Sequence, residues 1–150
     1  MFACVTVAGG KAFAQKLPDG PGRETFASVC SLCHSPAGPM GKQWTKPQWE
    51  AKVREMLQEE PDVTAAERAA IVEYLAANFK PGGKIYVNEI AAKDLATLLD
   101  VSADAAEAIV KHRDLHGRFK SADDITRVPG LDADSAEKIT AKKDRIAYEP

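Results

Sequence analysis

The C-terminal half of the sequence repeats itself with a period of 30 residues. Laying residues 95–109 over residues 125–139 gives apolar matches at several positions and identities at Ala103/Ala133, Asp104/Asp134, Ala106/Ala136, Glu107/Glu137 and Ile109/Ile139. A repeat of this fidelity indicates two copies of one supersecondary unit, stacked so that their apolar faces are buried together. Each copy has the pattern of a short helix, a tight hairpin and a longer helix with an Ala-rich inner face.

Turn and capping residues divide each copy into its parts. The hairpins are predicted at Asp100-Val101-Ser102 and at Gly130-Leu131-Asp132. Gly117 is expected to end the first long helix. The run Ser121-Ala122-Asp123-Asp124 is expected to cap the next short helix. The whole C-terminal half is therefore predicted to be helical.

Five residues in the N-terminal half, Cys30-Ser31-Leu32-Cys33-His34, have the spacing of a covalent haem attachment site. Two thiols separated by two residues add across the vinyl groups of a porphyrin, and the adjacent imidazole then reaches the iron from the proximal side. A redox dithiol and half of a zinc site are the alternatives. Zinc is disfavoured because Cys4, His112 and His116 offer no second pair at finger spacing. The sequence therefore predicts one covalent haem c.

The distal iron ligand is predicted to be Met56, with Met40 as the alternative. Met56 shares a helical face with Trp49, whereas Met40 lies six residues after His34 in a stiff Pro/Gly loop. A thioether opposite the imidazole would raise the reduction potential. An ordinary core role for Met56, with a five-coordinate iron or another ligand, is the other interpretation.

The N-terminal half also carries clear helix signals. Thr45-Lys46-Pro47-Gln48 and Thr64-Ala65-Ala66-Glu67 have the spacing of capping boxes. Trp49, Val53 and Met56 form the apolar stripe of the first of these helices, which Pro61 is expected to end. The second helix has an apolar face with members at Ile71, Leu75 and Phe79.

The strongest break in the chain is Lys80-Pro81-Gly82-Gly83. It predicts two domains, at residues 16–80 and 85–150, joined by a linker at 81–84. The net charge of the chain is −2, and neither half is strongly basic. Bulk charge therefore does not mark either domain as a nucleic-acid platform.

Residues 1–15 are predicted to be a truncated export signal. Met1 to Gly10 is apolar and small, and Ala12-Phe13-Ala14 before Gln15 has the form of a cleavage site. A disordered apolar tail is the other interpretation. The signal is favoured because haem attachment of this type is completed outside the cytoplasm. We therefore expect an exported bacterial protein, periplasmic or extracellular, with no transmembrane segment.

Residues 17–80 resemble a small mono-haem class I c-type cytochrome. The resemblance rests on the pattern from Gly22 through Phe26 to the cysteine motif, and on the closing helix at 71–79. The Thr45, Trp49 and Met56 pattern is similar to cytochrome modules attached to periplasmic dehydrogenases. The resemblance implies an all-helical haem wrap, one-electron transfer, and a dehydrogenase or reductase as the redox partner.

Residues 85–147 resemble a tandem helix-hairpin-helix domain of the ComEA-like competence DNA receptors. The cues are Val87-Asn88, the segment 116–121 between the units, and Val128-Pro129-Gly130-Leu131. The resemblance implies sequence-independent contact with a nucleic-acid backbone. The usual Gly-hydrophobic-Gly of each hairpin keeps one glycine of four here, and Asp100, Asp104, Asp132 and Asp134 place carboxylates where phosphate would sit. The candidate phosphate or partner contacts are Gly130, Leu131, Lys111, Arg113, Lys138, Lys142 and Lys143.

The sequence thus predicts an all-α, two-domain protein, a haem c electron carrier joined to a helix-hairpin-helix adaptor. It shows no nucleophile, acid–base pair or substrate pocket, so a partner enzyme is expected to do the chemistry. We favour docking on a protein over tethering of the haem to DNA; a haem-based sensor is a further alternative. His112 and His116 could face a metal ion, although a solvated or packing role is favoured.

Overall fold

The computed structural model describes residues 16–32 and 35–150, which form a mainly helical protein. The helices of this described part are α1 Arg23–Cys30, α2 Lys46–Met56, α3 Ala65–Asn78, α4 Ala92–Leu99, α5 Ala103–His116, α6 Ala122–Thr126 and α7 Ala133–Ala141. Short 3₁₀ turns lie at Gly38–Gly41 and Lys143–Arg145. The predicted all-α class is confirmed. The predicted signal at 1–15 lies outside the described residues, as do Cys33 and His34.

One small element was not predicted. Strands β1 Ile85–Tyr86 and β2 Ile146–Ala147 pair in parallel, with Ile85 opposite Ile146. The pair joins the beginning and the end of the C-terminal half, because the two strands precede α4 and follow α7.

Helix α1 crosses α3 at Gly22, where the two backbones approach closely. Gly22 has a φ of 85°, and a Cβ at this position would lie 2.6 Å from the carbonyl oxygen of Ala70. Only glycine combines that backbone with that space. The crossing brings Phe26, which is fully buried, to a stacked contact with Tyr74 at 5.1 Å between ring centroids. The Tyr74 hydroxyl donates to the carbonyl of Pro18 at 2.7 Å, and burial raises its pKa to about 12.

Both predicted capping boxes are present. The amide of Thr45 donates to Gln48 Oε1 at 2.8 Å, and the amide of Thr64 donates to Glu67 Oε2 at 2.8 Å. The hydroxyl of Thr64 is the main cause that lowers the pKa of Glu67. These caps satisfy amides that a helix start leaves unpaired and so fix where α2 and α3 begin.

Helix α2 ends at Met56, five residues before Pro61, so the predicted stop at that proline was wrong. The reason is Arg68 on α3. Its guanidinium donates to the carbonyls of Leu57 at 2.6 Å, Glu60 at 2.6 Å and Val63 at 3.1 Å. These bonds satisfy carbonyls of the connection and hold it outside the helix.

The two predicted copies of the repeat fold alike. Helix α4 packs on α5, and α6 packs on α7. Leu95 and Ile125, which are 30 residues apart, are both fully buried, as are Ile109 and Ile139. Asn88 holds the connection between the copies, since its side chain accepts from the amide of Phe119 and donates to that residue's carbonyl, both at 2.9 Å.

The N-terminal and C-terminal halves share one continuous apolar core. At their junction, Gln43 donates to the carbonyls of Gly83 and Lys84, both at 3.1 Å, and accepts from Arg145 at 2.7 Å. Lys42 forms an ion pair with Asp94. Gly83 and Lys84, in the predicted linker, are therefore bonded to Gln43 of the N-terminal half.

Candidate functional site

An apolar cavity of about 240 Å³ lies between α1, α2 and α3. Its walls are side chains from all three helices, with Lys52 and Glu60 as the charged members. The apolar wall includes Phe26, Val29, Trp49, Val53, Ile71 and Leu75. A space of this lining suits a bulky apolar ligand, because burial of apolar surface drives binding in such pockets.

Cys30 and Met56 both line this cavity. Cys30 is the last residue of α1, and Met56 is the last residue of α2. Met40, the alternative ligand, is 1% exposed in the 3₁₀ turn at Gly38–Gly41, whose described contacts are with β1 and α4. It is not one of the residues that line the cavity.

Two exposed apolar side chains stand at the cavity as well. Leu32 is 75% exposed and Met56 is 42% exposed, and in the described part of the chain the third large apolar residue so exposed is Leu115. The rim of the cavity is therefore apolar as well as its wall. This lining, with Cys30 and Met56 on the wall, is chemically compatible with a porphyrin.

Met56 rather than Met40 is the methionine that the fold brings to this cavity. The roles predicted for Cys30, Cys33, His34 and Met56 stay predictions. They depend on the cysteine motif, of which two residues lie outside the described part.

The second candidate surface is formed by the two hairpins of the repeat. Asp100 and Gly130, 30 residues apart, both have positive φ, at 61° and 94°. The next helix then starts in the same way in each copy: the Ser102 hydroxyl accepts from the amide of Ala105 at 3.1 Å, and Asp132 accepts from the amide of Ser135 at 2.7 Å. The two hairpins therefore have similar backbone conformations although their residues differ.

Carboxylates give this surface an acidic component. Lys138 lies between two of them, with its ammonium 2.9 Å from Asp134 and 3.7 Å from Asp100. The hydrogen bond to Asp134 is the main cause that raises the pKa of Lys138. The hydrogen bond from the backbone amide of Ser135 is the main cause of the lowered pKa of Asp132. This capping residue therefore carries a negative charge at neutral pH.

The structure divides the predicted contact residues into two groups. Arg113 donates to the carbonyls of Val87 and Ile90, both at 3.0 Å, and Lys142 donates to the carbonyl of Leu98 at 3.1 Å. These two cations are bonded within the domain, as is Lys138. The others are exposed or half-buried at the surface: Lys111, Lys143, Gly130 and Leu131.

Arg127 is an exposed cation that the sequence interpretation missed. It lies three residues before Gly130, at the C-terminal cap of α6. Its place directly before Val128-Pro129-Gly130 was the available signal, since a side chain there stands next to the hairpin.

Among the described residues no helix is both long and apolar enough to cross a membrane. These residues also hold no group of three or more His, Cys, Asp or Glu arranged for a metal ion.

Comparison with known proteins supports the interpretation of the C-terminal half. Residues 80–142 match the family model of the helix-hairpin-helix motif. ComE operon protein 1 of Bacillus subtilis (strain 168) is 36% identical over 58 residues, which is 39% of this chain and 28% of that protein. The chain thus matches less than a third of the length of this curated relative. No solved structure matches. Residues 80–142 are therefore similar to the helix-hairpin-helix motif.

Proposed function

We propose that this protein is a DNA-binding c-type cytochrome. In this proposal the tandem helix-hairpin-helix half holds the backbone of DNA, and the N-terminal half carries one covalent haem for one-electron transfer. The observation that carries the first part is the pair of matching hairpins at Asp100–Ser102 and Gly130–Asp132, taken with the family match over residues 80–142. Export to the periplasm or the cell surface is part of the proposal.

The hairpins offer backbone amides to a phosphate. A helix start leaves four amides without an intrahelical partner, and the caps Ser102 and Asp132 bind one amide each. The amides left at the starts of α5 and α7, together with the positive end of each helix dipole, attract an anion. A Cβ added at Gly130 would meet nothing within 4 Å, so the second hairpin is open to a close approach by a ligand.

Exposed cations supply the long-range attraction. Lys111, Arg127 and Lys143 are exposed on this half of the chain. Such side chains neutralise phosphates and release counterions, which makes binding steeply dependent on salt. Because Asp100 and Asp132 oppose this attraction, we expect weak binding that does not depend on DNA sequence.

Fluorescence anisotropy with a labelled duplex, measured over a series of salt concentrations, tests DNA binding. We expect Lys111→Gln and Lys143→Gln each to reduce the salt slope by roughly one phosphate contact. Asp100→Gly should raise affinity, because it removes a carboxylate and restores the glycine of the hairpin. Lys46→Gln on the N-terminal half is the matched control and should leave the slope unchanged. The absence of a complex at low ionic strength would contradict DNA binding.

Docking on a protein is the second candidate for the same surface. The carboxylates of Asp100, Asp132 and Asp134 favour it, because they oppose a phosphate backbone more than they oppose a basic protein. In that case the chain should ignore duplex DNA and should bind a redox partner such as a periplasmic dehydrogenase or reductase.

For the N-terminal half, the proposal assigns Cys30 and Cys33 as thioether anchors, His34 as the proximal ligand and Met56 as the distal ligand. A haem bound there supplies one-electron redox chemistry. The chain's own contribution is the apolar wall of Phe26 and its neighbours, which excludes water and so helps to set the reduction potential. The protein itself is proposed not to be an enzyme.

Co-expression with a cytochrome maturation system tests this assignment. We expect coloured protein, a reduced spectrum typical of methionine ligation, and no change on addition of carbon monoxide. Met56→Leu keeps the side-chain volume but removes the thioether, so it should abolish that spectrum. Met40→Leu is the matched control and should preserve it. Colourless protein with two titratable thiols at Cys30 and Cys33 would contradict haem attachment, and a wild-type haem that binds carbon monoxide would favour a sensor instead.

A further inference from the structure

Two imidazoles lie side by side at the C-terminal end of α5. His112 and His116 are four residues apart on this helix, and their ring centroids are 4.4 Å apart. They line an open cavity of about 250 Å³, together with Phe119, Lys120 and Asp124. The proposed function uses neither histidine, and DNA binding requires neither.

The separation of the two rings matches the geometry of a shared metal ion. A bond from imidazole nitrogen to a metal is about 2.0–2.1 Å, so each ring centroid would lie about 3.2 Å from the ion. Two imidazoles at right angles around one ion would then have centroids roughly 4.5 Å apart, and at the tetrahedral angle roughly 5.2 Å apart. The observed 4.4 Å fits the right angle. Adjacent nitrogen ligands at right angles are typical of Cu²⁺ and Ni²⁺.

The first ligand of the pair is held in place before any ion arrives. The ring of His112 stacks on Phe119 with centroids 5.8 Å apart and planes 11° apart. Phe119 is 4% exposed, and its backbone is bonded to the side chain of Asn88. A ligand fixed in this way loses little conformational entropy on binding. His116 is exposed, so an ion in solution can reach its ring.

The charges around the pair are mixed, because Arg118, Lys120 and Arg127 line the cavity together with Asp124. The last turn of α5 carries the negative end of the helix dipole, which favours positive charge. Arg118 is ion-paired with Glu89 and Glu149, so its charge is offset. Asp124 lines the same cavity. Its pKa is lowered, mainly by the hydrogen bond from the backbone amide of Lys120, so it carries its charge at neutral pH.

We propose that His112 and His116 form a surface chelate for a divalent transition metal ion of the copper or nickel class. The protein supplies two imidazole nitrogens in adjacent positions. Water completes the coordination.

Titration of the full chain with Ni²⁺, followed by calorimetry and by paramagnetic broadening in amide NMR spectra, tests the site. Ni²⁺ should broaden the resonances of residues around 112–124 at one equivalent. His116→Gln should weaken this binding step by roughly tenfold or more, since even loss of a group that only supports a metal ligand costs about that much. Any Ni²⁺ bound at the cysteines is subtracted as the background that remains in the His112→Gln/His116→Gln variant.

Lys120→Gln is the matched control, because it lines the same cavity and leaves both imidazoles in place. It should keep or raise Ni²⁺ affinity. Identical Ni²⁺ isotherms and broadening for wild type and for the double histidine variant would overturn the proposal. Broadening of the same resonances by inorganic phosphate, together with no response to Ni²⁺, would also overturn it and would identify an anion pocket.

Discussion

The two halves of this protein fill their interiors in different ways. In the C-terminal half, Leu95, Leu99, Ile109, Ile125 and Ile139 are all fully buried. The N-terminal half keeps an apolar cavity of about 240 Å³ beside buried aromatic side chains. Protein side chains therefore fill the C-terminal part of the core, whereas the N-terminal half leaves an apolar space between its helices.

The largest expected effect is a difference in stability loss between a mutation at a packed position and a mutation at the cavity. Ile139→Ala should lower the free energy of unfolding by about 2–5 kcal/mol, because it opens a void in a closed core. Met56→Ala, tested without haem, should cost less than about 1 kcal/mol, since the residue is 42% exposed. Urea denaturation followed by circular dichroism measures both. Equal losses of stability in the two variants would mean that the two interiors do not differ in packing.

The next effect concerns the helix crossing that shapes the cavity. Gly22→Ala should cost about 2–4 kcal/mol, the sum of an unfavourable backbone for a side chain and a collision with the Ala70 carbonyl. Gly38→Ala is the control, because a Cβ there meets nothing within 4 Å. Denaturation curves of the two variants, and their haem content after maturation, check this. A Gly22→Ala protein of normal stability would show that the crossing is not fixed by close approach.

A smaller effect compares the two hairpins of the C-terminal half. Asp100→Gly should stabilise the protein by about 1 kcal/mol, because a residue with a side chain at a φ of 61° is strained. Gly130→Ala should destabilise by about 1 kcal/mol for the same reason, since its φ is 94° and its surroundings are open. Thermal unfolding measures both shifts. Changes of the same sign would contradict the equivalence of the hairpins.

The smallest effect is a dependence of stability on pH. The pKa values of Glu67, Asp124 and Asp132 lie below the ordinary 4.5 for Glu and 3.8 for Asp, because the folded state hydrogen-bonds their ionised forms. These caps therefore stabilise the fold fully above those ordinary values, and their contribution disappears as the pH falls through the lowered ones. Denaturant unfolding measured below pH 4.5 should show a falling free energy of unfolding. The Asp132→Asn variant should make this fall with pH less steep. A stability that rises on acidification would contradict this sign.

Much of the fold follows from local signals in the sequence. The repeat, both capping boxes and the hairpin positions depend on neighbouring residues, and all three were predicted. The early end of α2 was not predicted, because it depends on Arg68, a residue of the next helix. The pairing of β1 with β2 joins residues 61 positions apart and the bond from Arg145 to Gln43 joins residues 102 positions apart, so no local pattern contains them.

The candidate sites also contain some features that local sequence predicts and others that it does not. Spacing alone indicated the cysteine motif and the hairpins. It could not tell that Arg113 and Lys142 bond to carbonyls of their own domain, because a cation looks the same in a sequence whether it faces solvent or backbone. It favoured Met56 over Met40 from the helical stripe and the loop, and Met56, not Met40, lines the cavity that three helices form together.

The bonds of Gln43 across the junction have a consequence for measurement. Because the Gln43 side chain bonds to Gly83 and Arg145, and the two halves share one apolar core, we expect the distance between them to vary little. A pair of spin labels, one on each half, should therefore give one narrow distance distribution. If the N-terminal half carries electrons and the C-terminal half binds DNA, as proposed, the electron carrier stays at a constant distance from the bound strand. Electron transfer then does not depend on motion of one half around the other.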